Sequence, residues 1–158
     1  MSERAVESVW DYPRPPRVET DDRRVEIVFA GRTIARTEHA LRVLETSHPP
    51  TFYIPRADCV AACLVEHDHR SYCEYKGLAS YVGVRVGNRI AEAAGWFYPG
   101  PSPGYEALRD HIAFYPGPMD RCTVAGQGVE AQPGDFYGGW ITPEVVGPFK
   151  GPPGTQGW

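Results

Sequence analysis

Proline and glycine punctuate the whole chain, 16 and 17 of its 158 residues. Spread as they are, they break up helices and favour many short strands joined by turns. The strand pattern is plainest in two places. "RRVEIVFAGRTIART" alternates Val25, Ile27 and Phe29, supplies a turn at Gly31 and resumes at Ile34. "LASYVGVRVGNRIAEAAGWFYP" sets Val82, Val84 and Val86 on one face, turns at Gly87–Asn88 and ends in Trp96, Phe97 and Tyr98. Residues 40–48 read as a strand, because Pro49–Pro50 follow and "TFYIP" resumes β-type residues. The segment 56–72 has no clear period. In "SPGYEALRDHIAFYP", Tyr105, Leu108 and Ile112 recur at helical spacing behind Ser102–Pro103, which predicts a short helix.

The ends differ from the middle. Residues 1–24 form an extended arm in which Pro13, Pro15 and Pro16 fix φ. The last 26 residues, 133–158, are rich in Gly and Pro, yet Phe136, Tyr137, Trp140, Phe149 and Trp158 lie among them. A disordered tail would not carry that aromatic load, so a strap packed across one domain is expected. Predicted, then, is one mainly β, antiparallel domain with one or two short helices.

Apolar content of 42% and charged content of 23% are ordinary for a globular protein. A net charge of −4 argues against a dedicated nucleic-acid binder. No apolar run reaches the roughly 18–20 residues that span a bilayer, and "MSERAVESVW" lacks a signal-peptide core. Cys59, Cys63, Cys73 and Cys122 do not read as a disulfide scaffold in a chain this long. A cytoplasmic protein with reduced thiols, without nucleic-acid or membrane partners, is the expectation.

Three sets of residues carry chemistry. "SYCEYKGLASYVGV" places Cys73 three residues before Lys76. Cys73 lies just after Arg70, and a cation near a thiol favours the thiolate, so Cys73 reads as a nucleophile or redox thiol and Lys76 as an anion anchor or proton donor. The alternative is a plain turn that starts a strand. Glu45, before two prolines, is the acid/base candidate that would complete an enzyme. Cys59, Cys63, His67, His69 and Cys73 all fall on odd positions and are zinc-type ligands. One strand through 59–73 would be about 50 Å long at roughly 3.3 Å per residue, too long for this domain, so the chain must turn and no metal or cofactor is expected.

The third set is aromatic and polar: Trp10, Tyr12, Arg14, Glu45, Tyr53, Trp96, Tyr98, Tyr115 and Trp140. Aromatic walls with a few charges hold small ligands, although the same rings also fill β cores. The predicted pocket has walls of Tyr12, Tyr53, Tyr98 and Trp140, with Arg14, Glu45 and Lys76 as polar groups, and suits a carboxylate or phosphate ligand. "GQGVEA" at 126–131 fits a dinucleotide fingerprint, but Gln132–Pro133–Gly134 break the helix that motif requires. "PRPP" at 13–16 belongs to the extended arm, and His39, His48 and His111 show no triad-like spacing.

"WDYPRPPRVE", "AGRTIARTEHALRVLETSHPPTFYIP", "CEYKGLASYVGV", "AGWFYPGP", "HIAFYP" and "GDFYGGWITPEVVGPFKGPPGTQGW" together resemble the bacterial domain-of-unknown-function family 427, which also carries a nucleotidyltransferase-like label. The resemblance runs from residue 10 to 158 and implies a fold of the β-tent type. Relatives in that wider fold hold zinc through two CxxC pairs, and this chain has no CxxC. Family members usually read Cys-Pro before the lysine, where this chain has Glu74. Three readings follow: a small-molecule-binding domain, an enzyme working through Cys73 or Lys76, and an interaction module using edge strands or the proline-rich arm.

Overall fold

The computed structural model describes residues 4–134 and 136–158. Its strands are β1 (Glu7–Ser8), β2 (Arg17–Asp21), β3 (Val25–Phe29), β4 (Arg32–Thr37), β5 (Ala40–Leu44), β6 (Thr51–Pro55), β7 (Leu64–Cys73), β8 (Gly77–Val86), β9 (Arg89–Phe97) and β10 (His111–Phe114). Five more follow: β11 (Arg121–Val124), β12 (Gln127–Gly128), β13 (Glu130–Ala131), β14 (Trp140–Ile141) and β15 (Val145–Val146). A seven-stranded sheet runs β2-β5-β6-β10-β9-β8-β7, and a four-stranded sheet runs β12-β11-β3-β4. Both are antiparallel throughout. The fold is mainly β.

Both hairpins read from the sequence form. Ala30 and Gly31 turn β3 into β4 at φ 51° and 78°, the left-handed pair that a two-residue hairpin of this twist requires. Gly87, at φ 60°, opens the turn between β8 and β9. The segment without a clear period becomes two short 3₁₀ turns, Arg56–Asp58 and Ala61–Cys63, followed by the ten-residue β7. The helix expected in 102–116 shrinks to one 3₁₀ turn, Glu106–Leu108, after which Ile112 enters β10. Left-handed backbone at Gly104 (φ 94°) and Asp110 (φ 61°) brackets that turn and stops it from propagating. Among the described residues no helix is long and apolar enough to cross a membrane.

Strand periodicity divides the side chains of the seven-stranded sheet between two faces. Phe52 and Ile54 of β6, Val82 and Val84 of β8, and Ile112 and Phe114 of β10 face the four-stranded sheet. There they meet Val25, Ile27, Ile34, Cys122 and Val124 in the main core. On the other face Leu41, Val43, Tyr53, Tyr81, Trp96 and Ala113 form a second cluster with Tyr98, Tyr105 and Leu108. Across that second face run residues of the C-terminal segment, tied down by Lys150 N–H donating to Ser47 O at 2.8 Å and Trp140 N–H to Pro50 O at 2.7 Å.

The N-terminal arm is pinned by charge. Arg42, 1% exposed on β5, reaches Glu7 on β1, and Glu19 and Asp21 on β2. Arg23 pairs with Asp21 at 2.7 Å and with Glu144 at 3.2 Å. Burial pushes Glu7 and Asp21 up, but their arginine hydrogen bonds reverse it and hold both carboxyls below their ordinary values. Their contribution is therefore present at neutral pH and is lost as pH falls through the depressed folded values. Arg42→Met is expected to destabilise the fold by about 3 kcal/mol at pH 7, since it removes the buried cation that Glu7, Glu19 and Asp21 share. In urea melts the gap between variant and wild type should narrow as pH drops below about 4.5. A gap that stays constant from pH 7 to 3 contradicts this role.

Candidate functional site

The second face of the seven-stranded sheet is incompletely covered, and a cavity of about 370 Å³ opens there. Alternation along the strands supplies its walls: Val43 from β5, Tyr53 from β6, Tyr81 from β8 and Trp96 from β9. Tyr98 and Tyr115 follow the ends of β9 and β10, and Phe136 and Tyr137 close over from the C-terminal segment. The rings hold one another in place. Trp96 Nε1–H donates to the Tyr53 hydroxyl at 3.3 Å, the Trp96 and Tyr115 rings meet at 4.7 Å with their planes tilted by 50°, and Tyr115 O–H donates to Phe136 O at 2.8 Å. Gly138 lies so close to Trp96 that an added Cβ would collide with the indole.

The floor is charged. The turn Glu74–Tyr75–Lys76 reverses β7 into β8, with Cys73 paired to Gly77 across it. Gly77, at φ 110°, sits where a left-handed residue is needed. That geometry brings Lys76 Nζ within 3.2 Å of Cys73 Sγ. Lys76 is only 8% exposed, and among the described residues the thiol is the one hydrogen-bond acceptor it reaches. Burial pushes the Lys76 amine down, but Tyr98, Cys73 and Glu45 around it more than offset that, so it stays an ammonium. Burial pushes the hydroxyls of Tyr53 and Tyr98 far up, so both remain neutral donors.

The rim adds Arg14, Glu45, His48 and Lys150. Arg14 pairs with Glu45 at 3.5 Å and donates to Thr46 O at 2.8 Å. Gln132, almost fully buried, ties the rim together by reaching His48 Nδ1 at 3.1 Å and Lys150 O at 2.9 Å and by accepting Gly139 N–H at 3.0 Å. Lys150 Nζ stands 5.3 Å from the Tyr137 ring centre. A flat, aromatic chamber with a buried ammonium below and two further cations at its mouth can take a small anion and stack its body.

Arg14, Glu45, Tyr53, Lys76 and Tyr98, five residues predicted from sequence for a pocket, line this one cavity, and so does Cys73. Tyr12 and Trp140 do not. Tyr12 packs with Val9, Leu44 and Val145 and donates its hydroxyl to Glu7 at 2.6 Å. Trp140 lies in the main core, stacked on Phe52 at 5.1 Å, its indole N–H donating to Phe114 O at 2.9 Å. The zinc-type residues are dispersed as well. Cys59 and Cys63 are buried in the core, while His67 and His69 sit on β7 and only Cys73 reaches the cavity. Sequence reasoning missed His48, Gln132, Tyr137 and Lys150 as cavity residues; for Tyr137 and Lys150 the signal was the aromatic load of the C-terminal segment, and for His48 and Gln132 there was none.

Fold and site together define an antiparallel β domain with a cationic, aromatic-lined cavity on the outer face of its larger sheet. The family model described as a domain of unknown function (DUF427) matches residues 17–125, and the chain belongs to that family. No curated protein matches it. Arg14, Gln132, Tyr137 and Lys150 fall outside the matched span, so part of the cavity is built by segments flanking it.

Burial, helped by Lys150, Arg14 and Lys76, pushes His48 down to about 4. The imidazole is then neutral at pH 7, and its 3.7 Å approach to Glu45 is no ion pair there. Because the folded value lies below the unfolded one, acid favours unfolding between about pH 6.5 and 4. NMR of the His48 ring should titrate near pH 4, and Lys150→Gln should raise that midpoint. A midpoint of 6 or above contradicts the packing described.

Proposed function

We propose that this domain binds a small anionic molecule, a carboxylate or phosphate with a flat apolar body, in the cavity over the larger sheet. The observation that carries the reading is Lys76: a buried ammonium on the cavity floor with a thiol as its sole hydrogen-bond acceptor among the described residues. An ammonium has three donors, and a buried charge left with one weak acceptor favours an anion that completes it. Arg14 and Lys150 at the mouth add attraction, and Tyr53 and Tyr98 offer hydroxyl donors. At about 370 Å³ the cavity lies near the small end of ligand pockets, which run to roughly 300–1,000 Å³. Tyr53, Tyr81, Trp96, Tyr115 and Tyr137 suit a planar group.

Calorimetry with benzoate, phenyl phosphate and neutral benzamide tests the reading. One or both anions should bind measurably and benzamide at least tenfold more weakly. Lys76→Met should weaken anion binding about tenfold or more, the equivalent of roughly 1.5–3 kcal/mol for a charge-assisted hydrogen bond. Equal binding of benzamide and the anions, or no loss in Lys76→Met, contradicts the proposal.

A further inference from the structure

Four cysteines are present, and they occupy two kinds of place. Cys59, Cys63 and Cys122 are buried in the main core. Burial pushes the thiols of Cys59 and Cys122 up to about 12, which leaves them inert as nucleophiles. Cys73 is half-buried at the end of β7 and lines the cavity. Its sulfur accepts the Lys76 ammonium at 3.2 Å. The fold sets the stage for the contact: Cys73 and Gly77 are paired residues at the mouth of a three-residue turn, so the β7–β8 hairpin holds the backbones of Cys73 and Lys76 within side-chain reach of each other. Ser102 N–H, donating to Lys76 O at 2.9 Å, fixes the turn from the other side.

A cation held on a cysteine sulfur is the setting that reactive cysteines share, and the sulfur is the nucleophilic atom of this pair. The groups facing this pair include Glu45, His48, Tyr53, Tyr98 and Tyr105. Glu45 is itself engaged by Arg14 at 3.5 Å, which limits its competition for Lys76. The same cavity that would draw in a small anion therefore presents it to a sulfur nucleophile.

We propose that Cys73 forms a covalent bond with small acids that carry an electrophilic carbon, with Lys76 as the cation that activates the sulfur. The inference deepens the binding reading above and rests on the cavity admitting anions. With a carbonyl acid, Sγ adds to the carbonyl carbon, the C=O π pair moves to oxygen and takes a proton from Lys76 Nζ, and the S–H proton passes to Lys76, which ends as the ammonium it began as. The product is a thiohemiacetal, formed without a leaving group or an oxidant and released by the reverse steps.

Alkylation of the full chain at pH 7 by iodoacetate and by neutral iodoacetamide, mapped by mass spectrometry against N-acetylcysteine, tests the proposal. In either reaction a C–S bond forms and iodide departs with the C–I pair. Cys73 should be the first site modified, with iodoacetamide at least about fivefold faster than with the free thiol. Its preference for iodoacetate over iodoacetamide should exceed that of the free thiol by about threefold or more. Lys76→Met should bring both rates down to the reference. Because that change touches a buried charge, Lys150→Gln serves as the second variant and should lower the iodoacetate preference alone. A reference-like iodoacetamide rate at Cys73, or earlier labelling of Cys59, Cys63 or Cys122, overturns the nucleophile even if benzoate binds. Fast labelling without preference for the anion overturns the selectivity, and with it the binding reading.

Discussion

Every part of this molecule depends on the two-residue period of the central strands. On β6, Phe52 and Ile54 point into the core and Tyr53 points away from it. Neighbouring β10 repeats the division, with Ile112 and Phe114 inward and Ala113 outward, and Trp96 of β9 faces outward opposite Ala113. A one-residue slip in any of these strands would exchange core for cavity. The close approach of Gly95 to Ala113 O, where a Cβ would sit 2.7 Å away, pins β9 against β10 and resists such a slip. The outer face is therefore as firmly determined as the core, and its large rings are set on a rigid floor.

Two buried cations show the difference between a structural charge and one left open. Arg42 is surrounded by Glu7, Glu19 and Asp21, with Glu144 at 4.0 Å, and its guanidinium is fully engaged. That arrangement fastens the N-terminal arm to the sheet and leaves nothing for a ligand. Lys76 is almost as well buried but meets phenol rings and a thiol in place of carboxylates. Burial without neutralisation is costly, and the proposed anion would relieve that cost from the cavity above it. The contrast decides where chemistry belongs in this fold.

Much of the frame was legible in the sequence because hairpins are local. Ala30–Gly31 and Gly87–Asn88 sit between alternating apolar runs, and each forms the turn that pattern implies. Tyr53, Tyr98 and Lys76 were found for the same reason: their side of a strand, or their place in a turn, follows from neighbours. Tyr12 and Trp140 were misplaced because an aromatic residue reads alike whether it fills a core or lines a wall. Trp140 went inward when β14 docked beside Pro50, and Tyr12 was captured by Glu7. His48, Gln132 and Lys150 were invisible because distant segments bring them together, and no local spacing encodes that meeting. The helix expected around Tyr105 failed where Gly104 and Asp110 adopt left-handed backbone, a constraint that outweighs three apolar residues at helical spacing.

The central proposal is that the outer face of the larger sheet receives a small anion on Lys76. An NMR titration with phenyl phosphate at constant ionic strength examines that claim most directly, following the four indole N–H signals and the backbone amides. The account predicts saturable shifts for Trp96 Nε1–H and the amides of Cys73, Lys76 and Tyr98, with the buried Trp140 Nε1–H unmoved. Shifts centred on the Arg42 cluster, or weak shifts spread over the surface without saturation, would contradict it.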